Sequence, residues 1–162
     1  MTNYSEMPAD SRVWVYQCSR KLTEPEIIIL NQKAAAFIGS WTAHDNQLKT
    51  FFEIRYGIFF VLMVDEKQAA ASGCSIDKSV QFIQELERDF NVSFTNRMLF
   101  AYRNTDGEIS IVSKKEFEQA ALSGIISDET IVFNNLAADK SQLESSWEIP
   151  FSKSWHKKLV LG

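Results

Sequence analysis

Ile58-Phe59-Phe60-Val61-Leu62-Met63-Val64 runs straight into Asp65-Glu66, and Ala69-Ala70-Ala71-Ser72-Gly73-Cys74-Ser75-Ile76-Asp77 follows a few residues later. Seven successive uncharged residues, rich in β-branched and aromatic side chains, suit a strand buried on both faces, because a strand with one wet face would alternate. The run is therefore expected to be the central strand. Beyond it Ile76, Val80, Ile83, Leu86 with the adjacent Phe82, and Phe90 recur at helical spacing, so the pattern changes from strand to helix between Asp65 and Ser75. Ser75 is the expected N-cap, with Asp77 in the first turn facing the positive end of the helix dipole.

Working outward toward the N-terminus, Leu48 to Tyr56 alternates as a strand, and Gly57 lets it turn tightly into the central run. Residues 42–47 are polar and read as a loop. Before them Thr23 and Glu26 form a capping box, Pro25 stands in the first turn, and Ile27, Leu30, Ala34, Phe37, Ile38 and Trp41 make one apolar stripe. That helix is preceded by a strand, Arg12 to Cys18, in which Val13 and Val15 alternate with Trp14 and Tyr16. Residues 1–11 read as a loose lead-in.

On the other side, Met98 to Arg103 and Glu108 to Val112 flank Asn104-Thr105-Asp106-Gly107, whose residue types suit a hairpin turn. Ser113 and Glu116 form a second capping box before Phe117, Ala120 and Ala121, Gly124 stops that helix, and Thr130 to Phe133 is a short strand. From Asn134 the periodicity weakens. Trp147, Pro150, Phe151 and Trp155 suggest an extended tail laying aromatic rings on the body, and His156 beside Lys157 and Lys158 reads as a solvated end.

The order of elements gives an α+β fold: an antiparallel or mixed sheet with helices on one face, split βαβ-like, plus a C-terminal hairpin-helix extension and an aromatic tail. Two divisions fit the pattern, either units at 1–95 and 97–162 or one domain over 1–162. No internal repeat or low-complexity tract is present.

Composition narrows the partners. Of 162 residues 45% are hydrophobic and 23% charged, as in a soluble globular chain, and the net charge of −4 without basic runs argues against nucleic acid. No apolar run reaches transmembrane length and the start lacks a signal-peptide pattern, so a cytoplasmic location without a membrane span is expected. Two cysteines, Cys18 and Cys74, are then expected as free thiols. With two scattered histidines they show no paired ligand spacing, so neither a metal nor any cofactor is indicated.

The chemistry-bearing residues gather at the end of the central run. A thiol at a helix N-terminus has its thiolate stabilised by the dipole, though Asp77 opposes this, so Cys74 is the candidate nucleophile, with His44 as base and Asp77 or Asp65 orienting it. The same loop, Asp65, Glu66, Ser72, Gly73, Cys74 and Ser75, offers N–H groups and hydroxyls to a small or anionic ligand. Ligand binding is the leading reading, with a protein partner or a Cys74-dependent enzyme as alternatives. In most intracellular chains such a cysteine is only a small packed residue and such serines are only caps.

Two resemblances bear on this. Ile58 to Glu66 resembles the Walker B strand of a transporter-type ATPase. Through Arg12-Val13-Trp14, Trp41-Thr42-Ala43-His44, Asp65-Glu66, Ser72 to Asp77, Asn134-Asn135 and Trp155-His156, nearly the whole chain resembles a family of uncharacterised bacterial proteins of about this length often described as ABC transporter ATPases. Residues 98–133 are similar to GYF-type adaptor modules, with Glu108-Ile109-Ser110-Ile111 standing where the Gly-Pro-Phe part would be. That likeness implies a peptide-binding module. The ATPase description can be tested on the glycines, because a phosphate-cradling loop needs two glycines five positions apart followed by Lys and Ser or Thr. Glycines stand at 39, 57, 73, 107, 124 and 162, and no two lie within ten residues of each other. Calorimetric titration with Mg²⁺ and ATP is expected to give no saturable heat, and phosphate release is expected to stay at background. A saturable nucleotide isotherm would refute this.

Overall fold

The computed structural model describes residues 2–161. Every residue of β5 (Phe59–Asp65) is buried, and β5 lies between β1 (Arg12–Gln17) and β4 (Lys49–Arg55), antiparallel to both. α1 (Glu24–Ser40) and a small hairpin of β2 (Thr42–Ala43) and β3 (Asn46–Gln47) connect β1 to β4. Since β1 and β4 are each antiparallel to β5, they run parallel to one another with β5 inserted between them, which is the split βαβ plan. The fold is α+β.

Local chemistry accounts for the boundaries. Thr23 Oγ1 accepts the Glu26 N–H while Glu26 Oε1 accepts the Thr23 N–H, and the capping box starts α1. Tyr56 and Gly57, at φ 57° and 67°, are the central residues of the turn between β4 and β5, closed by Ile58 N–H to Arg55 O at 3.0 Å, with Arg55 pairing Phe59 beyond it. The segment read as a loop at 42–47 is instead the β2–β3 hairpin. His44 and Asp45 adopt positive φ, 50° and 63°, at its tip.

The pleat of β5 sends alternate side chains into two different cores. Phe60, Leu62 and Val64 join Trp14, Tyr16 and Phe52 under α1 and α2 (Gly73–Phe90). Phe59, Val61 and Met63 join Val13, Val15 and Phe51 on the opposite face, which meets a second sheet. That sheet has the order β7-β6-β8-β9, with β6 Leu99–Arg103, β7 Ile109–Ser113, β8 Ile131–Phe133 and β9 Glu148–Pro150. Its inner side chains Ala101, Ile109, Ile111 and Phe133 fill the space between the sheets, together with Leu143 of α4 (Lys140–Ser146) and Trp147. Its outer face, Phe100, Tyr102 and Val132, is covered by Phe117 and Ala120 of α3 (Lys114–Leu122) and by α5 (Trp155–Leu161). The result is four layers, helices, sheet, sheet, helices.

Three further expectations change. Helices cover one face of the first sheet as expected, but its other face carries the second sheet, because Phe59, Val61 and Met63 need an apolar cover that two helices on the opposite side cannot supply. The C-terminal segment packs with its aromatics inward, Trp147 at 1% exposure and Phe151 at 5%, yet it is not extended. Asp139 caps α4 by accepting the Gln142 N–H at 2.8 Å, and a 3-10 turn at Phe151–Lys153 leads into α5. Helices of seven residues show too few turns to register as periodicity.

The third change is His156, expected in solvent. It is 1% exposed, stacked on Trp155 at 3.8 Å and edge-on to Phe100 at 5.6 Å, and its Nδ1 has no hydrogen-bond partner among the described residues. Burial holds its pKa down at about 4, from an ordinary 6.5. The unfolded chain therefore takes up a proton near pH 6.5 that the folded chain refuses until about pH 4, so stability is full above pH 6.5 and falls between those limits. Thermal melts are expected to show a loss on the order of 3 kcal/mol across that window beyond the carboxylate contribution. The His156→Phe variant should lose that extra slope, and an identical slope in both proteins would refute the assignment.

Candidate functional site

The loop after β5 is built from its two acids. Asp65 keeps only 8% of its side chain exposed, and its Oδ2 lies 3.4 Å from Lys49 Nζ while Oδ1 accepts the Lys67 N–H at 3.1 Å. Glu66 Oε2 accepts the Ala71 N–H at 2.9 Å, and its Oε1 lies 3.8 Å from Arg12 Nη1. Both carboxylates thus hold loop backbone as well as a cation, so the turn from β5 to α2 is fixed by the residues that open it.

α2 is capped three residues before the expected position. Ser72, with extended backbone, accepts the Ser75 N–H at 3.1 Å, and Ile76 N–H bonds Ser72 O at 2.9 Å, so Ser72 is the N-cap and Gly73 the first helical residue. Ser75 is not the cap. It is 1% exposed, its hydroxyl donates back to Ser72 O at 2.9 Å, and its carbonyl accepts Trp41 Nε1–H at 2.8 Å. Either serine satisfies the sequence rule; capping at Ser72 lets Ser75 turn inward onto Trp41. Asp77 consequently lies beyond the first turn.

The Trp41 bond ties the end of α1, and β2 of the hairpin that follows it, to the start of α2. Cys74, His44 and Asp77 are all exposed. No hydrogen bond joins any two of them among the described residues. Cys18, by contrast, is fully buried, and burial pushes its thiol pKa up. Among the described residues no three His, Cys, Asp or Glu side chains are placed to hold a metal ion, and no helix is long and apolar enough to cross a membrane.

Beside this loop lies a feature that the residue-by-residue reading missed. An open groove of about 850 Å³ runs between α1 and the start of β4, with Ile38 and Leu48 on its apolar side and Glu6, Lys49, Thr50 and Gln68 among its polar lining. Lys49 connects it to the β5 terminus: its ammonium is 3.4 Å from Asp65 and donates to Glu6 O at 3.2 Å. The turn residues alone do not reveal Lys49: a plain two-residue turn at Tyr56-Gly57 would pair it with Val64, whereas Arg55 pairs with Phe59 across Tyr56-Gly57-Ile58, and that one-residue shift puts Lys49 opposite Asp65.

Comparison with protein-family models, with curated proteins and with solved structures finds no match to this chain. The geometry of the site is therefore the ground for a functional reading.

Native protein is expected to react with a thiol reagent at one position, Cys74, and at a second, Cys18, only after unfolding. Two fast-reacting thiols in native buffer would contradict the burial of Cys18. Ser72→Ala should cost about 1 kcal/mol of stability, measured by denaturant unfolding, whereas Gln84→Ala on the exposed side of the same helix should cost little.

Proposed function

We propose that this chain is a ligand-binding domain that takes a small molecule carrying a carboxylate or phosphate in the groove at the carboxyl end of β5. The observation that carries the reading is the state of Lys49. The ammonium donates to the Glu6 carbonyl and is ion-paired with Asp65 at 3.4 Å, which orients the side chain and leaves donor capacity among its three N–H groups for a ligand anion. Thr50 and Gln68 supply hydrogen-bonding groups beside it, and Ile38 and Leu48 an apolar wall, the combination by which concave sites hold small molecules. The loop that carries Gln68 is the one tied down by Asp65 and Glu66, so the ligand meets a preformed wall. The exposed start of α2 at Gly73 and Cys74 belongs to the same end of the sheet and adds a favourable field for an anion.

A second reading, protein binding through residues 98–133, is favoured by exposed apolar side chains there: Met98 at 56%, Leu122 at 76% and Ile125 at 62%.

The two readings separate in one experiment. Amide spectra recorded while titrating inorganic phosphate, then a panel of small carboxylates, are expected to shift at Lys49, Thr50 and Gln68 in a saturable way. Lys49→Met should abolish the shifts and Lys49→Arg should retain them. Shifts scattered over surface lysines, or none, would overturn the ligand reading.

A further inference from the structure

Edge strands present a row of unpaired backbone groups, and folded chains ordinarily blunt them. The edges of this molecule differ in how they are blunted. β1 is partly covered, with Val13 N–H bonded to Ala138 O at 2.9 Å and Arg12 bridged to Asp139. β9 is three residues long and ends in Pro150. β7 has five residues, Ile109-Ser110-Ile111-Val112-Ser113, carries no charge and no proline, and is half-exposed along its whole length.

The bonds at both ends of the β6–β7 hairpin decide where its peptide groups point. Asn104 N–H bonds Glu108 O at 2.8 Å and Lys114 N–H bonds Met98 O at 3.0 Å. In an antiparallel pair hydrogen-bonded and non-hydrogen-bonded positions alternate, so Ser110, opposite Tyr102, and Val112, opposite Phe100, face β6. The N–H and C=O groups of Ile109 and Ile111 therefore point away from the sheet. None of the four has a partner among the described residues. Ser113 N–H is already taken by Glu116 Oε2 at 3.3 Å.

We propose that β7 is a self-association edge, pairing antiparallel with β7 of a second copy about a two-fold axis at Ser110. In this register Ile109 lies opposite Ile111 of the other copy, and all four free peptide groups on each strand are satisfied at once. Charge selects the same arrangement. The strand is entered through Asp106 and Glu108 and left through Lys114 and Lys115, so antiparallel pairing brings the acidic end of one copy to the basic end of the other, while parallel pairing would set like against like. Lys115 is exposed and free of any carboxylate among the described residues. Two four-stranded sheets then become one continuous eight-stranded sheet, and no covalent step is involved. The groove at Lys49 takes no part in the pairing.

Sedimentation of the purified chain over a concentration series is expected to show a monomer–dimer equilibrium. Ile111→Pro removes an outward N–H without touching the ladder to β6, and proline is tolerated at such edge positions, so this variant should be monomeric with an unchanged circular dichroism spectrum. Should it fail to fold, a cross-link replaces it. In a Cys74→Ser background, Ser110→Cys sits on the axis as a non-hydrogen-bonded pair, with Cβ atoms about 4.5–5.5 Å apart, and should oxidise to a disulfide dimer. Val112→Cys, which faces Glu108 of the other copy, should not. A chain that stays monomeric at every concentration, or that cross-links equally through both cysteines, overturns the proposal.

Discussion

The constraint on which this structure depends is the burial of β5 on both faces. A strand in a two-layer domain needs one apolar face and spends alternate residues on water. β5 has no wet face at all, because helices lie on one side of it and a second sheet on the other. Each large apolar side chain in it contributes roughly 1.5–3 kcal/mol through burial, so the six from Phe59 to Val64 form the strongest single claim on the surrounding chain. Everything packed against Phe60, Leu62 and Val64 belongs to residues before Thr95, and most of what packs against Phe59, Val61 and Met63 comes from residues after it. One strand therefore ties the two halves together.

Polar bonds complete that junction. Asn134 and Asn135, between β8 and α4, accept the indole N–H groups of Trp155 and Trp147, both at 3.0 Å, and Asn135 donates to Gln17 at the end of β1. Glu148 of β9 receives both Arg103 and the hydroxyl of Tyr56 from the β4–β5 turn. At the opposite end of β5, where the buried run stops, Asp65 and Glu66 convert the strand terminus into a braced loop. A strand that must end abruptly in water places charge there, and those charges orient Lys49 toward the groove.

The fold was legible where one element buries one unambiguous pattern. Ile58 to Val64, the two capping boxes and the Gly57 turn are each local statements, and each is found in the structure within a residue or two. The second layer was not legible, because an apolar residue declares that it is buried without declaring against what. His156 shows this most sharply: its sequence neighbours are lysines, but its ring lies among Phe100, Phe117 and Trp155, brought there by a helix too short to show a stripe. In the candidate site, the loop and its helix were legible. Lys49 carries no local signal because its meaning lies in the hairpin register, and the sequence rule does not separate Ser75 from Ser72, which offers the same hydroxyl one turn earlier.

The most direct test of the double burial of β5 is native-state amide hydrogen exchange on the wild type and on Phe59→Ala, a truncation expected to cost roughly 3–5 kcal/mol. Phe59 touches only the core between the sheets, yet protection should fall by a similar factor at Ile83 and Leu86 in α2 and at Ala101 and Val132 in the second sheet, because β5 transmits the loss to both sides. Loss of protection confined to the second sheet, with α2 unchanged, would contradict the account.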